Sequence, residues 1–125
     1  MIKELIAVAA GGALGSAARY LISYSWLAGL TVGGLPAGTF TVNVVGSMLI
    51  GFLAETLNSS MAVWLLCVGF CGGFTTFSTF SNESLSLLKQ GNLAAFALYV
   101  AASISLGIGC VFIGSWCGKH LFAQP

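Results

Sequence analysis

The chain has 125 residues, of which 58% are hydrophobic and 6% charged, with a formal net charge of +1 at pH 7. A soluble domain of this length cannot wrap so apolar a composition around itself, so the solvent it is built for is lipid. Its four basic residues are scattered along the chain and make no electrostatic footprint, which excludes a nucleic-acid partner.

Apolar stretches run at about 5–26, 39–57, 62–88 and 93–117. Each meets the roughly 20 residues that a helix needs to cross the hydrocarbon, so the sequence predicts an all-α integral membrane protein with four transmembrane helices in a single domain, 1–125. The first stretch is too long for the apolar region of a cleavable signal peptide and is expected to stay. It carries Gly11 and Gly15 as a GxxxG pair for close packing, and Arg19 near its far end. An arginine there can snorkel to the interface or, because it never deprotonates, hold a standing attraction for anions. The longest connection, Leu27 to Gly38, contains Gly29, Gly33, Gly34 and Pro36 and is expected as a loop.

The second stretch has one polar stripe, Thr39, Asn43 and Ser47, spaced i−4, i, i+4. Asn43 offers two N–H donors, which suits an anion; the alternative is an interhelical hydrogen bond acting only as glue. Ser47 and Gly51 form a small-xxx-small pair, Glu55 lies near the helix end, and Asn58-Ser59 marks a turn.

The third stretch contains the most informative run, Gly72 to Phe80, reading Gly-Gly-Phe-Thr-Thr-Phe-Ser-Thr-Phe. Adjacent glycines raise the cost of helix. The hydroxyls of Thr75, Thr76, Ser78 and Thr79 need partners where there is no water, and non-helical backbone at membrane depth is tolerated only where it is covered by protein or lines a cavity. Helix 3 is therefore expected to break mid-membrane and to line a site. Phe77 and Phe80 share a face, and an aromatic ring has a positive edge that can meet a small anion, although packing is the commoner use of such a stripe. The hydroxyls can donate into a path or bond back to the carbonyl at i−4. Cys67 and Cys71 have no zinc-ligand pattern around them and read as small apolar residues.

Gly91-Asn92 marks the last turn, and the fourth stretch carries Ser103, Gly107 and Gly114 for packing. With four crossings, Lys3 and Lys119 share one side and Lys89 and Arg19 the other, a near-tie that permits insertion both ways round. Four short helices do not easily enclose a polar path and neither half of the chain repeats the other, so any symmetry has to come from a second copy.

Three motifs in this order carry a resemblance. They are Gly11-Gly12-Ala13-Leu14-Gly15 followed by Arg19-Tyr20; Pro36-Ala37-Gly38-Thr39 with Val42-Asn43 and Gly46-Ser47; and Gly72 to Phe80 followed by Ser81 and Glu83. Over nearly its whole length the chain resembles the Fluc (CrcB) family of fluoride channels. The resemblance implies an antiparallel, dual-topology homodimer in the bacterial inner membrane, with two passive pathways that export fluoride and oppose its toxic accumulation. On the matching positions Asn43 would donate to fluoride, Phe77 and Phe80 would present ring edges, and Thr76 and Ser78 would supply hydroxyls. Tyr99 and Ser103, one turn apart on helix 4, would extend the route, and Arg19 would make the vestibule electropositive. The carbonyls of Gly72 and Thr75 would hold a structural sodium ion on the dimer axis, in keeping with the preference of hard cations for oxygen ligands.

The competing reading is a small dual-topology, proton-coupled multidrug exporter. It needs a carboxylate at the membrane centre, and here helix 1 has none past Glu4 while Glu55 and Glu83 lie away from mid-span. No base and nucleophile pair is visible, so an enzyme is not expected.

Overall fold

The computed structural model describes residues 1–122. Helix α1 runs Ile2–Tyr20 and continues as a π-helix over Leu21–Trp26. A two-stranded antiparallel hairpin follows, β1 Thr31–Val32 and β2 Leu35–Pro36, with Thr31 opposite Pro36 and Val32 opposite Leu35. Helix α2 is Ala37–Thr56. Helix α3 occupies 60–74, beginning with Ser60–Ala62, wound as a π-helix over Val63–Cys71 and returning to α geometry at Gly72–Phe74. Helix α4 is Phe77–Lys89 and helix α5 is Leu93–Leu121. Four segments are long and apolar enough to cross a membrane: Ile2–Trp26, Ala37–Thr56, Ser60–Lys89 and Leu93–Leu121.

Local chemistry sets these boundaries. Pro36 sits at the cap of α2 with φ −66° and ψ 109°, an extended conformation that the ring favours and that ends the hairpin. Asn92 starts α5 by accepting the amide of Ala95 on its Oδ1 at 3.1 Å. The hairpin was not expected from the sequence, which suggested only a loop. Its signal was Gly33-Gly34, whose φ values of 63° and 84° supply the two left-handed positions that a two-residue hairpin turn demands.

Lipid tails are as apolar as the side chains, so helix association here depends on close packing rather than on escape from water. The glycines allow it. A Cβ on Gly11 would strike the carbonyl oxygen of Leu65, and one on Gly15 that of Phe70, so α1 lies directly on the backbone of α3. Gly51 and Gly114 interlock α2 with α5 in the same way, the first against the Val111 carbonyl and the second against that of Met48. These small-residue motifs thus pack helices of one chain against each other. Phe80, Leu87, Ala95 and Tyr99 form a buried cluster that fastens α4 to α5. Leu14, Ile108 and Phe112 point outward, as side chains facing lipid do.

Candidate functional site

Between α3 and α4, two residues leave the helical region: Thr75 at φ −90°, ψ 160° and Thr76 at φ −149°, ψ 114°. Backbone extended in this way must find new hydrogen-bond partners, and side chains provide them. Asn43 Nδ2 donates to the Thr76 carbonyl at 3.1 Å, and the Thr76 amide donates to Asn43 Oδ1 at 2.7 Å. Thr76 also caps α4, its Oγ1 accepting the amide of Thr79 at 3.1 Å.

These bonds sort the carbonyls of the interruption. In a continuous helix the amide of Thr76 would serve the Gly72 carbonyl and the amide of Thr79 would serve that of Thr75. Asn43 takes the first amide and the Thr76 hydroxyl takes the second. The carbonyls of Gly72 and Thr75 thereby lose their helical donors. The one at Gly73 is occupied, because Arg19 Nε donates to it at 3.0 Å. The one at Cys71 receives both the amide of Thr75 at 3.0 Å and its hydroxyl at 2.8 Å. Gly72 and Thr75 are the two residues expected to hold a cation, and two oxygens released from helix suit a hard one. No cluster of three or more His, Cys, Asp or Glu side chains that could hold a metal occurs among the described residues.

A cleft of about 430 Å³ opens beside the interruption. Asn43, Ser47, Thr75, Thr76, Phe77, Phe80 and Ser103 line it, together with Gly72 and the buried thiols of Cys67 and Cys71. The Oγ of Ser103 is buried without a hydrogen-bond partner among the described residues. The rings of Phe77 and Phe80 lie 5.9 Å apart with planes inclined by 51°. They differ in environment: Phe80 is 9% exposed and Phe77 80%.

Three expected site residues lie outside the lining of this cleft. Tyr99 is fully buried behind Phe80, with ring centroids 5.1 Å apart, and its hydroxyl donates to Glu83 Oε1 at 3.0 Å. Ser78 turns its Oγ toward Thr76 Oγ1 at 3.3 Å. Arg19 is engaged with Gly73. The link from Glu83 to Tyr99 was not foreseen. It joins two helices through residues 16 apart, and no local pattern announces it. Likewise Glu55, read from the sequence only as lying near the helix end, accepts the Ser115 hydroxyl at 2.7 Å and ties α2 to α5. Of the hydroxyls in the run, Thr75 bonds back to i−4, whereas Thr76 serves as a cap.

Comparison with known proteins gives a consistent result. Residues 6–115 match the family model described as CrcB-like protein, Camphor Resistance (CrcB). A protein of Bacteroides fragilis named fluoride-specific ion channel FluC is 47% identical over 125 aligned positions, covering 95% of this chain and 98% of the relative. Proteins of the same name from Leptospira interrogans and Chlorobaculum tepidum are each 44% identical, covering 94% and 95% of this chain and 96% and 97% of theirs. The match to the family model and the near full-length similarity to these relatives show that this chain belongs to the CrcB family.

Proposed function

We propose that the chain is the subunit of a fluoride-selective passive channel, which lets fluoride leave a bacterial cell down its electrochemical gradient across the inner membrane and so protects the cell from it. The observation that carries this reading is the cleft at the interruption of the third span, where hydrogen-bond donors and aromatic rings meet midway along an apolar segment. The names of the family relatives favour the same anion.

Fluoride is small and strongly hydrated, so a selective path has to replace its water with close donors yet bind it weakly enough to release it. The amide nitrogen of Asn43 has two hydrogens and spends one on the Thr76 carbonyl, which leaves one for an anion. The unpartnered Ser103 hydroxyl is a second donor; the Thr76 hydroxyl spends its hydrogen on Thr79 Oγ1 at 3.0 Å, and Ser78 would contribute only beyond the cleft. The edges of Phe77 and Phe80 add weak contacts that no hydrogen bond locks. Tyr99 backs Phe80 and anchors to Glu83, which fixes the ring from behind.

One copy leaves this cleft open on the outside of the bundle, with Phe77 80% exposed. Polar backbone facing lipid is costly, so the cleft needs a cover. A second, antiparallel copy provides one and yields two pathways, each lined by both subunits, around a third helix broken mid-membrane in each chain. Two copies also bring four released carbonyls together, from Gly72 and Thr75 of each, as ligands for a structural sodium ion at the dimer axis. The multidrug-exporter alternative is disfavoured because no carboxylate lies at mid-span; Glu55 is the penultimate residue of α2 and Glu83 lies within seven residues of the end of its span.

The test is anion release from liposomes. Purified protein in vesicles loaded with fluoride or with chloride should release only fluoride once a potassium ionophore balances charge. Release of both anions alike, or release that requires a proton gradient, overturns the channel reading.

A further inference from the structure

Arg19 is an ionisable side chain inside a transmembrane helix, a position that normally signals a partner. The partner here is a backbone oxygen. Arg19 Nε donates to the Gly73 carbonyl at 3.0 Å, across 54 residues of sequence. The approach is built from both sides. Gly12, Ser16 and Arg19 are spaced i, i+4, i+7 on one face of α1, and Gly73 rests on that face. A Cβ on Gly73 would come within 2.6 Å of the Gly12 carbonyl and 3.0 Å of Ser16 Oγ. The glycine lets the backbone come close enough for the guanidinium to reach its oxygen. That oxygen also belongs to the last turn of α3, where helix carbonyls collect negative partial charge and favour a cation.

We propose that Arg19 is a positioning residue: by capping the Gly73 carbonyl it fixes the interruption against α1 and selects which oxygens remain for a ligand. Of the consecutive carbonyls at Gly72 and Gly73, one loses its helical donor to Asn43 and the other gains a donor from Arg19. Without Arg19 the Gly73 oxygen would be a third unpaired acceptor at the interruption, beside those of Gly72 and Thr75. It would then compete for amides of α4 or for the ligand itself, and the geometry around Gly72 and Thr75 would lose its register. This role requires an N–H at the ε position of the side chain. It does not require the positive charge to attract anions from a distance.

The inference rests on the fluoride-channel reading for its flux measurement and has a second readout that does not. Two variants separate the donor from the charge. In Arg19→Gln the side-chain amide nitrogen occupies the same place along the chain as Arg Nε, so the donor stays and the charge goes. In Arg19→Met the stem stays and both are lost. Fluoride flux from liposomes is measured across fluoride concentrations, and thermal unfolding is followed in detergent. The expected result is that Arg19→Gln keeps at least half of the parent's maximal flux and its unfolding midpoint. Arg19→Met should lose about tenfold in maximal flux, the scale of losing one hydrogen bond, with a lowered midpoint and an unchanged half-saturating concentration. If Arg19→Gln falls together with Arg19→Met, or if both variants keep maximal flux and only the half-saturating concentration rises, Arg19 acts through its charge and the positioning role is wrong. If the parent carries no fluoride, the channel reading fails by itself. The order of the unfolding midpoints then still decides whether Arg19 caps Gly73, with equal midpoints for Gln and Met counting against it.

Discussion

The side-chain amide of Asn43 engages both backbone polar groups of Thr76, donating to its carbonyl at 3.1 Å and accepting its amide at 2.7 Å. A residue 33 positions away thus substitutes for the helix neighbours that Thr76 has given up. The same bond pair releases the Gly72 carbonyl and leaves one Asn43 hydrogen pointing free.

Asn43→Asp tests this double engagement. A carboxylate can still accept the Thr76 amide, but it cannot donate and would set an oxygen against the Thr76 carbonyl. Losing that bond costs about 1–3 kcal/mol, so fluoride flux should fall roughly tenfold or more while the volume of the side chain is nearly unchanged. Flux assays at matched dimer yield check it. Normal conduction by a stable Asn43→Asp protein would show that the amide is only packing.

The ring at Phe80 should matter through its edge. Phe80→Ile keeps an apolar side chain at a position that is 9% exposed but removes the contact with Tyr99 at 5.1 Å and the positive rim. We expect a several-fold loss of fluoride flux, with chloride still excluded. Cys67→Ala, a modest core change in the same cleft, should conduct like the parent. Equal losses in the two variants would mean that the site senses core perturbation and not the ring.

Gly46 gives access to the cation proposal. A Cβ there would strike Thr75 Cγ2 and come within 3.2 Å of the Phe74 ring, so Gly46→Ala must push on the residue whose carbonyl is proposed to bind sodium. Overpacking of this kind costs about 1–3 kcal/mol. Dimer fraction and flux, titrated with sodium against a bulky organic cation, should show a higher sodium requirement for Gly46→Ala. Gly107→Ala, whose nearest neighbour is 3.7 Å away, should behave as the parent does. If the parent itself ignores the removal of sodium, the Gly72 and Thr75 oxygens have another use.

Topology can be tested without measuring transport in vitro. Because Arg19 is tied to Gly73, the loops and termini carry Lys3 and Lys119 on one side against Lys89 on the other, a difference small enough for both insertions. Two or three lysines added to one terminus should fix one orientation. Cells making either biased form alone should be fluoride-sensitive and cells making both should be resistant. Full resistance from one biased form would contradict the antiparallel dimer.

Four spans were legible because a stretch of about 20 apolar residues has no other stable home, and four helical segments of the structure are long and apolar enough to cross a membrane. The helix interruption at Thr75 and Thr76 was legible in composition. Gly72-Gly73 and the clustered hydroxyls are poor helix material in lipid, and Asn43 is an expensive residue to bury without purpose. The hairpin at 31–36 was missed because two-residue strands carry too few side chains to show a period.

The sequence by itself determined that this is a four-span membrane protein of the CrcB family and which segment is poor helix material, because hydropathy, glycine cost and motif order are properties of the chain read locally. Only the tertiary structure decided how the interrupted backbone is satisfied. Asn43 holds Thr76, Thr76 caps α4, Arg19 takes the Gly73 carbonyl and Glu83 anchors Tyr99. Most of these bonds cross between helices, and their existence depends on glycine contacts that let α1, α2 and α3 approach within reach of a side chain. Spacing along the chain cannot encode which donor reaches which carbonyl, since that is fixed by distances of about 3 Å between helices.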